Sequence, residues 1–138
     1  MSTHSVEVHH EEIMQFKGQV NGHSVTMDAD AQFGGGDAGP RPKPLLLVSL
    51  GGCTGMDVVS LLEKMRVEFS DLQIDVEGDL TDEHPKYYHA IRIHYHLKAD
   101  EKDLPKIEKA VKLSQDKYCG VSYMLAQLAK ISVKISLK

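Results

Sequence analysis

Apolar and polar residues alternate with a period of two in several stretches, the mark of half-buried strands. Near the N-terminus, Met14, Phe16, Gly18 and Val20 alternate with Ile13, Gln15, Lys17 and Gln19, and a second run covers Ser24 to Ala29. Between them stands Asn21-Gly22, a pair suited to the positive φ angles of a tight hairpin turn. The pattern predicts strands within about 5–29, with a hairpin near 12–20 and 23–29. Gly34-Gly35-Gly36 and Pro40-Arg41-Pro42-Lys43-Pro44 then interrupt it, so 30–44 is a loop. The three glycines lack the Lys-Ser/Thr that a phosphate-binding loop requires.

A long helix is expected over about 45–66. Its first half, Leu45 to Cys53, is apolar almost all round, which calls for burial. The content is too polar after Asp57 for a membrane span. Gly51-Gly52 beside Cys53 implies either close helix packing or room for a ligand. Strands follow within about 70–98: Leu72, Ile74 and Val76 alternate with acids, and Ile91, Ile93, Tyr95 and Leu97 share one face after a turn at Thr81–Pro85. Helices occupy about 103–129, the first capped by Asp103 with Pro105 in its first turn. That helix puts Leu104, Ile107, Ala110, Val111 and Ser114 on one side, and a second runs from about Gly120 to Ala129. Ile131, Val133, Ile135 and Leu137 predict a C-terminal strand at about 130–137.

Strands, long helix, strands, helices and strand in that order give one α+β domain over 1–138. An apolar helix on a half-buried sheet needs more cover than one small chain offers, so a dimer is expected. Hydrophobic residues at 41% and charged residues at 26% are ordinary for a globular protein. The net charge of −4, without a basic stripe, argues against nucleic acid as a partner. The first twenty residues lack a signal-peptide pattern, so the expected location is the cytoplasm.

Two cysteines, Cys53 and Cys119, are the candidate chemistry. In a reducing compartment they are either small buried hydrophobes or a cycling dithiol. Cys119 stands at a predicted helix start, which favours a thiolate. Cys53, in an apolar helix, needs a nearby cation for the same purpose. The eight histidines suggest no metal centre: His94 and His96 read as solvated on the polar face of a strand, and His9-His10 are merely adjacent. No metal and no cofactor are expected.

The segment Pro42 to Val59, with Gly52-Cys53-Thr54-Gly55-Met56-Asp57-Val58-Val59 at its centre, resembles the signature helix of the osmotically inducible protein C and organic hydroperoxide resistance (OsmC/Ohr) family. Leu113 to Ser122, with Lys117-Tyr118-Cys119, resembles that family's second cysteine segment. The wording of both is that of its YhfA-like branch, and the resemblance covers essentially the whole chain.

The resemblance implies an OsmC-like fold, with antiparallel sheets around a long buried central helix, in an intertwined homodimer with sites at the interface. It further implies that Cys53 is the peroxidatic thiol, attacking an organic hydroperoxide to give a sulfenic acid. Cys119 would resolve it as a disulfide, and a dithiol, often lipoyl, would restore the pair. Active members of the family add an Arg from the N-terminal strands and a Glu just before the long helix. This chain has no Arg before Arg41, and Lys43 and Pro44 stand where the Glu would be. Arg41 and Lys43 are therefore candidate substitutes or plain loop charges, and Asp57 a cap or a polar interface contact. The alternative function is a non-catalytic binding or redox-sensing dimer.

Overall fold

The computed structural model describes residues 1–138. The chain divides into two compact units, Met1–Leu46 and Leu47–Lys138.

The first unit is a three-stranded antiparallel sheet in the order β1 (Glu7–Glu12), β2 (Gln15–Val20) and β3 (His23–Met27). Asn21 and Gly22 close the β2–β3 hairpin at φ 50° and 79°, which Asn tolerates and Gly, lacking a Cβ, adopts freely. The expected single strand over 12–20 is instead broken by a turn at Ile13-Met14, where Ile13 adopts φ 48°. Alternation runs on through this turn, so it gave no sign of the break. β1, which lies ahead of it and is exposed throughout, carried no apolar signal of its own.

The loop after β3 is built around one carboxylate. Asp28 is only 4% exposed and accepts from the backbone N–H groups of Ala29, Gly36 and Ala38 at 2.8, 3.1 and 3.0 Å. The Ala38 N–H above all holds this carboxyl below its usual range, against the opposing effect of burial. Gly35 and Gly39 pass so close to the backbone of Ala29 and Thr26 that neither could carry a Cβ. A short 3-10 turn, Ala31–Phe33, lies inside the loop. A hollow of about 540 Å³ in this unit is lined by Val8, Met14, Phe16, Met27, Phe33 and Arg41, among others.

α1 (Pro44–Lys64) begins one residue earlier than expected, with a proline at its first position, where no N–H is needed. Its buried residues form one stripe, Leu50, Thr54, Val58 and Leu62, at the i, i+4 spacing of a helix face. The other faces are open in a single chain: Val48 is 67% and Met56 77% exposed. The helix is also long and apolar enough to cross a membrane, with mean hydropathy 1.8, contrary to the sequence expectation. Its inward stripe, however, belongs to the same core as the second sheet, which makes it a core helix.

The second sheet has the order β4 (Phe69–Leu80), β5 (Tyr88–Ala99), β6 (Lys130–Leu137). β4 and β5 are antiparallel, whereas β6 runs parallel to β5. The helical crossover between β5 and β6 returns the chain to the starting edge and so imposes the parallel direction. Ile91, Ile93, Tyr95 and Leu97 all point into the core. Gly55 of α1 lets Ile74 of β4 approach: a Cβ there would lie 3.1 Å from its Cδ1. Gly51 makes only ordinary contact and Gly52 faces open space, so Gly55 rather than the Gly51-Gly52 pair is the tight packing point.

α2 (Leu104–Leu113) buries Ile107, Ala110 and Val111 as expected. The cap is displaced: Asp103 makes no capping bond, while Asp100 accepts from Lys102 N–H at 2.9 Å and starts a 3-10 turn (Glu101–Asp103) that feeds α2. Beyond α2 the chain widens into a π-helical turn, Ser114–Tyr118, before α3 (Gly120–Leu125). α3 is shorter than the expected helix to Ala129.

Candidate functional site

Cys53 lies on α1 with Asp57 one turn later, so both project from one face of the helix. Cys119 arrives from the other direction, at the end of the π-helical turn. Widening by one residue there swings Cys119 inward, and its N–H closes on Ser114 C=O at 2.7 Å. The two sulfurs and a carboxylate oxygen of Asp57 come together within 4.8 Å of one another. Both cysteines are free thiols, Cys53 half-buried and Cys119 only 3% exposed.

The helix start at Cys119 is confirmed, but its expected effect is not. Burial, first of all, pushes the Cys119 thiol up to about 11. The Ser122 N–H, donating to Sγ at 3.3 Å, opposes this, while the contact with Cys53 and the charge of Asp57 add to it. One amide does not outweigh a buried, anion-flanked position.

A hydrogen-bonded cluster supports the pair from below. Ser114 Oγ donates to Asp57 Oδ2 at 2.9 Å. Its single proton is thereby committed, so at 2.7 Å it accepts from Thr54 Oγ1. Thr54 has then spent its own proton, and its 2.7 Å contact with Tyr95 must be donated by the tyrosine hydroxyl. Gln115 Nε2 donates to both Thr54 Oγ1 and Tyr95 Oη at 3.2 Å, and Gln115 Oε1 accepts from Ser122 Oγ at 2.6 Å. The Asp57 carboxylate thus orients a chain of protons running from β5 through α1 to the π-helical turn. Burial raises the Tyr95 hydroxyl above its usual value, so it remains a donor.

Asp57 makes a polar contact inside its own chain, where the sequence suggested a cap or an interface contact. The sequence placed Thr54, Tyr95, Ser114, Gln115 and Ser122 at best on faces of elements and gave none a polar role; hydroxyls at core positions of apolar elements were the one available signal. Arg41 is taken up by its own loop: it pairs with Asp37 at 2.7 Å and donates to Gly39 C=O at 3.0 Å. Lys43 is exposed just before α1.

His94 and His96 are less solvated than expected. Their rings lie tilted by 33° with centroids 3.7 Å apart, and His94 Nε2 contacts Ser136 Oγ at 2.7 Å. His96 Nε2 lies 3.1 Å from Asp75 Oδ2, near enough to pair when charged but out of line for a hydrogen bond. Burial, then the neighbouring His96, lowers His94 below the ordinary histidine value.

Comparison with known proteins identifies the family. The sequence profile described as "OsmC-like protein" matches residues 34–134, a span that includes both cysteines and Asp57. Protein YhfA of Escherichia coli K12 is 31% identical over 112 residues, 81% of each chain. A hypothetical protein from Aquifex aeolicus VF5 superposes with TM-score 0.86 at 33% identity, covering 100% of this chain and 98% of that one. An organic hydroperoxide resistance protein OsmC from Legionella pneumophila, at 13% identity, shares the fold with TM-score 0.73 over 99% and 98% of the two chains. With a profile match over most of its length, a curated relative above 30% identity and a close cysteine pair in the matched region, this chain belongs to the OsmC-like protein family.

Proposed function

We propose that Cys53 and Cys119 form a cycling dithiol–disulfide pair that reduces small organic hydroperoxides. The observation that carries this reading is the juxtaposition of the two thiols, with Cys53 the more accessible. The Cys53 thiolate attacks the distal peroxide oxygen, the O–O bond breaks, and the alkoxide leaves as an alcohol after taking a proton. Cys53 is then a sulfenic acid. Cys119 condenses with it, releasing water and forming the disulfide. A dithiol reductant, small or lipoyl-bound, returns both thiols. Such a resting state suits a reducing compartment, which supports a cytoplasmic location.

The working unit is a homodimer. Leu46, Val48 and Met56 on α1, and Val8, Phe16 and Phe33 in the first unit, are large apolar side chains left in solvent by a single chain. Large apolar side chains left open on one helix, and around one hollow of the first unit, fit surfaces that meet a partner.

A second reading, a redox sensor without rapid turnover, is favoured by the Asp57 carboxylate beside the pair and by the tightly held Cys119 proton. Peroxide consumption with dihydrolipoamide separates the two. Saturable consumption that disappears in Cys53→Ser supports the peroxidase; a single disulfide-forming event per chain without turnover supports the sensor. Wild-type consumption by Cys53→Ser removes Cys53 from the chemistry.

A further inference from the structure

Cys53, Asp57 and Cys119 also have the chemistry of a metal-ligand set. Their donor atoms, two sulfurs and one carboxylate oxygen, lie within 4.8 Å of one another. A tetrahedral Zn²⁺ with bonds of about 2.3 Å to sulfur and about 2.0–2.2 Å to oxygen sets its donors roughly 3.5–3.8 Å apart, so the three atoms need draw together by no more than about 1 Å to enclose it. Two of the three ligands stand one helical turn apart on α1, a rigid element, and the third is fixed by the Cys119 N–H bond to Ser114 C=O. Ser114 also donates to Asp57 Oδ2, which orients the carboxylate without occupying its second oxygen.

We infer that the reduced site is a binding site for a thiophilic divalent cation of the Zn²⁺ type, held by Cys53 Sγ, Cys119 Sγ and an Asp57 oxygen with water in the fourth position. Two thiolates and a carboxylate match a borderline-soft cation and suit Mg²⁺ or Ca²⁺ poorly. The cation replaces the thiol protons, so binding releases protons and tightens as pH rises. Its two positive charges offset the two thiolates and the carboxylate that binding brings together. Disulfide formation removes two of the three donors, so the site holds metal only when reduced: the two bound thiolates give up two electrons to an oxidant such as diamide, which becomes its hydrazine on taking up two protons, and the cation leaves. This inference rests on the reduced pair alone and not on peroxide turnover.

The test is titration of the reduced, chelator-treated protein with Zn²⁺ against a chromogenic chelator, and with Co²⁺ followed optically. The expected result is one cation per chain, a near-ultraviolet thiolate-to-cobalt band, and loss of both after diamide oxidation. Asp57→Asn should weaken Zn²⁺ binding on the order of 10-fold or more, and Cys119→Ser should abolish the stoichiometric site. Because the diamide-treated wild type has an unaltered sequence, it serves as a control that does not depend on any variant folding. Absence of stoichiometric binding to the reduced protein, or equal binding to the oxidised protein, overturns the inference. Peroxide consumption measured separately in excess chelator reports on the peroxidase reading whatever the metal result.

Discussion

Thr54 makes three hydrogen bonds through a single hydroxyl, to Tyr95, Ser114 and Gln115. It is fully buried, so water replaces none of them. Thr54→Val keeps the shape but leaves the Tyr95 hydroxyl without its acceptor and Ser114 without its donor. The expected cost is about 1–3 kcal/mol, read as a lower urea midpoint at unchanged slope; an unchanged midpoint would show that the cluster is not formed. The two thiols differ at the same scale. Cys53 is half-buried, while Cys119 is buried and keeps its proton to about 11. Brief iodoacetamide treatment of the reduced protein at neutral pH should therefore modify Cys53 first, and mass spectrometry of the peptides identifies the site. A thiol whose folded pKa lies above its unfolded value contributes stability that is fully present below the unfolded value and lost as pH rises through the folded one. The reduced protein should accordingly lose stability from about pH 9.0, the ordinary thiol value, through pH of about 11. Cys119→Ser should flatten that loss in urea unfolding followed across the range, and an unaltered slope contradicts the assignment.

At the scale of elements, the helical crossover illustrates how far a sequence can be read. Ile107, Ala110 and Val111 announced α2 because burial and helical periodicity coincide in them. Its cap was misplaced because Asp100 and Asp103 are both acceptable caps locally, and the choice depends on the 3-10 turn between them. Asp100→Ala should cost about 0.5–2 kcal/mol and Asp103→Ala distinctly less, a difference thermal unfolding resolves; the reverse order would return the cap to Asp103. The π-helical turn at Ser114–Tyr118 had no signature at all, since a widened turn reflects how the chain reconnects rather than which residues compose it. For the same reason Cys53 and Cys119 could be picked out as a pair from their motifs, but the reach of Asp57 to Ser114 could not. The tyrosine of β5 was legible as a core residue from alternation alone; the direction of its hydroxyl was not.

For the whole molecule, one chain leaves apolar surface on α1 and on the first sheet. The homodimer reading expects sedimentation at twice the mass of a chain, and Val48→Glu with Met56→Glu should shift it to the monomer, since buried carboxylates without partners oppose association. A wild-type chain that sediments as a monomer would remove the second copy from the account. The redox claim is the more central one, because the fold is shared with relatives and fold alone does not determine chemistry. It is tested most directly by exposing the reduced protein to one equivalent of cumene hydroperoxide and mapping both cysteines by mass spectrometry. A Cys53–Cys119 disulfide should form promptly and be reversed by dihydrolipoamide; two surviving thiols, or Cys53 carried on to the sulfinic acid with Cys119 still free, would contradict a cycling pair.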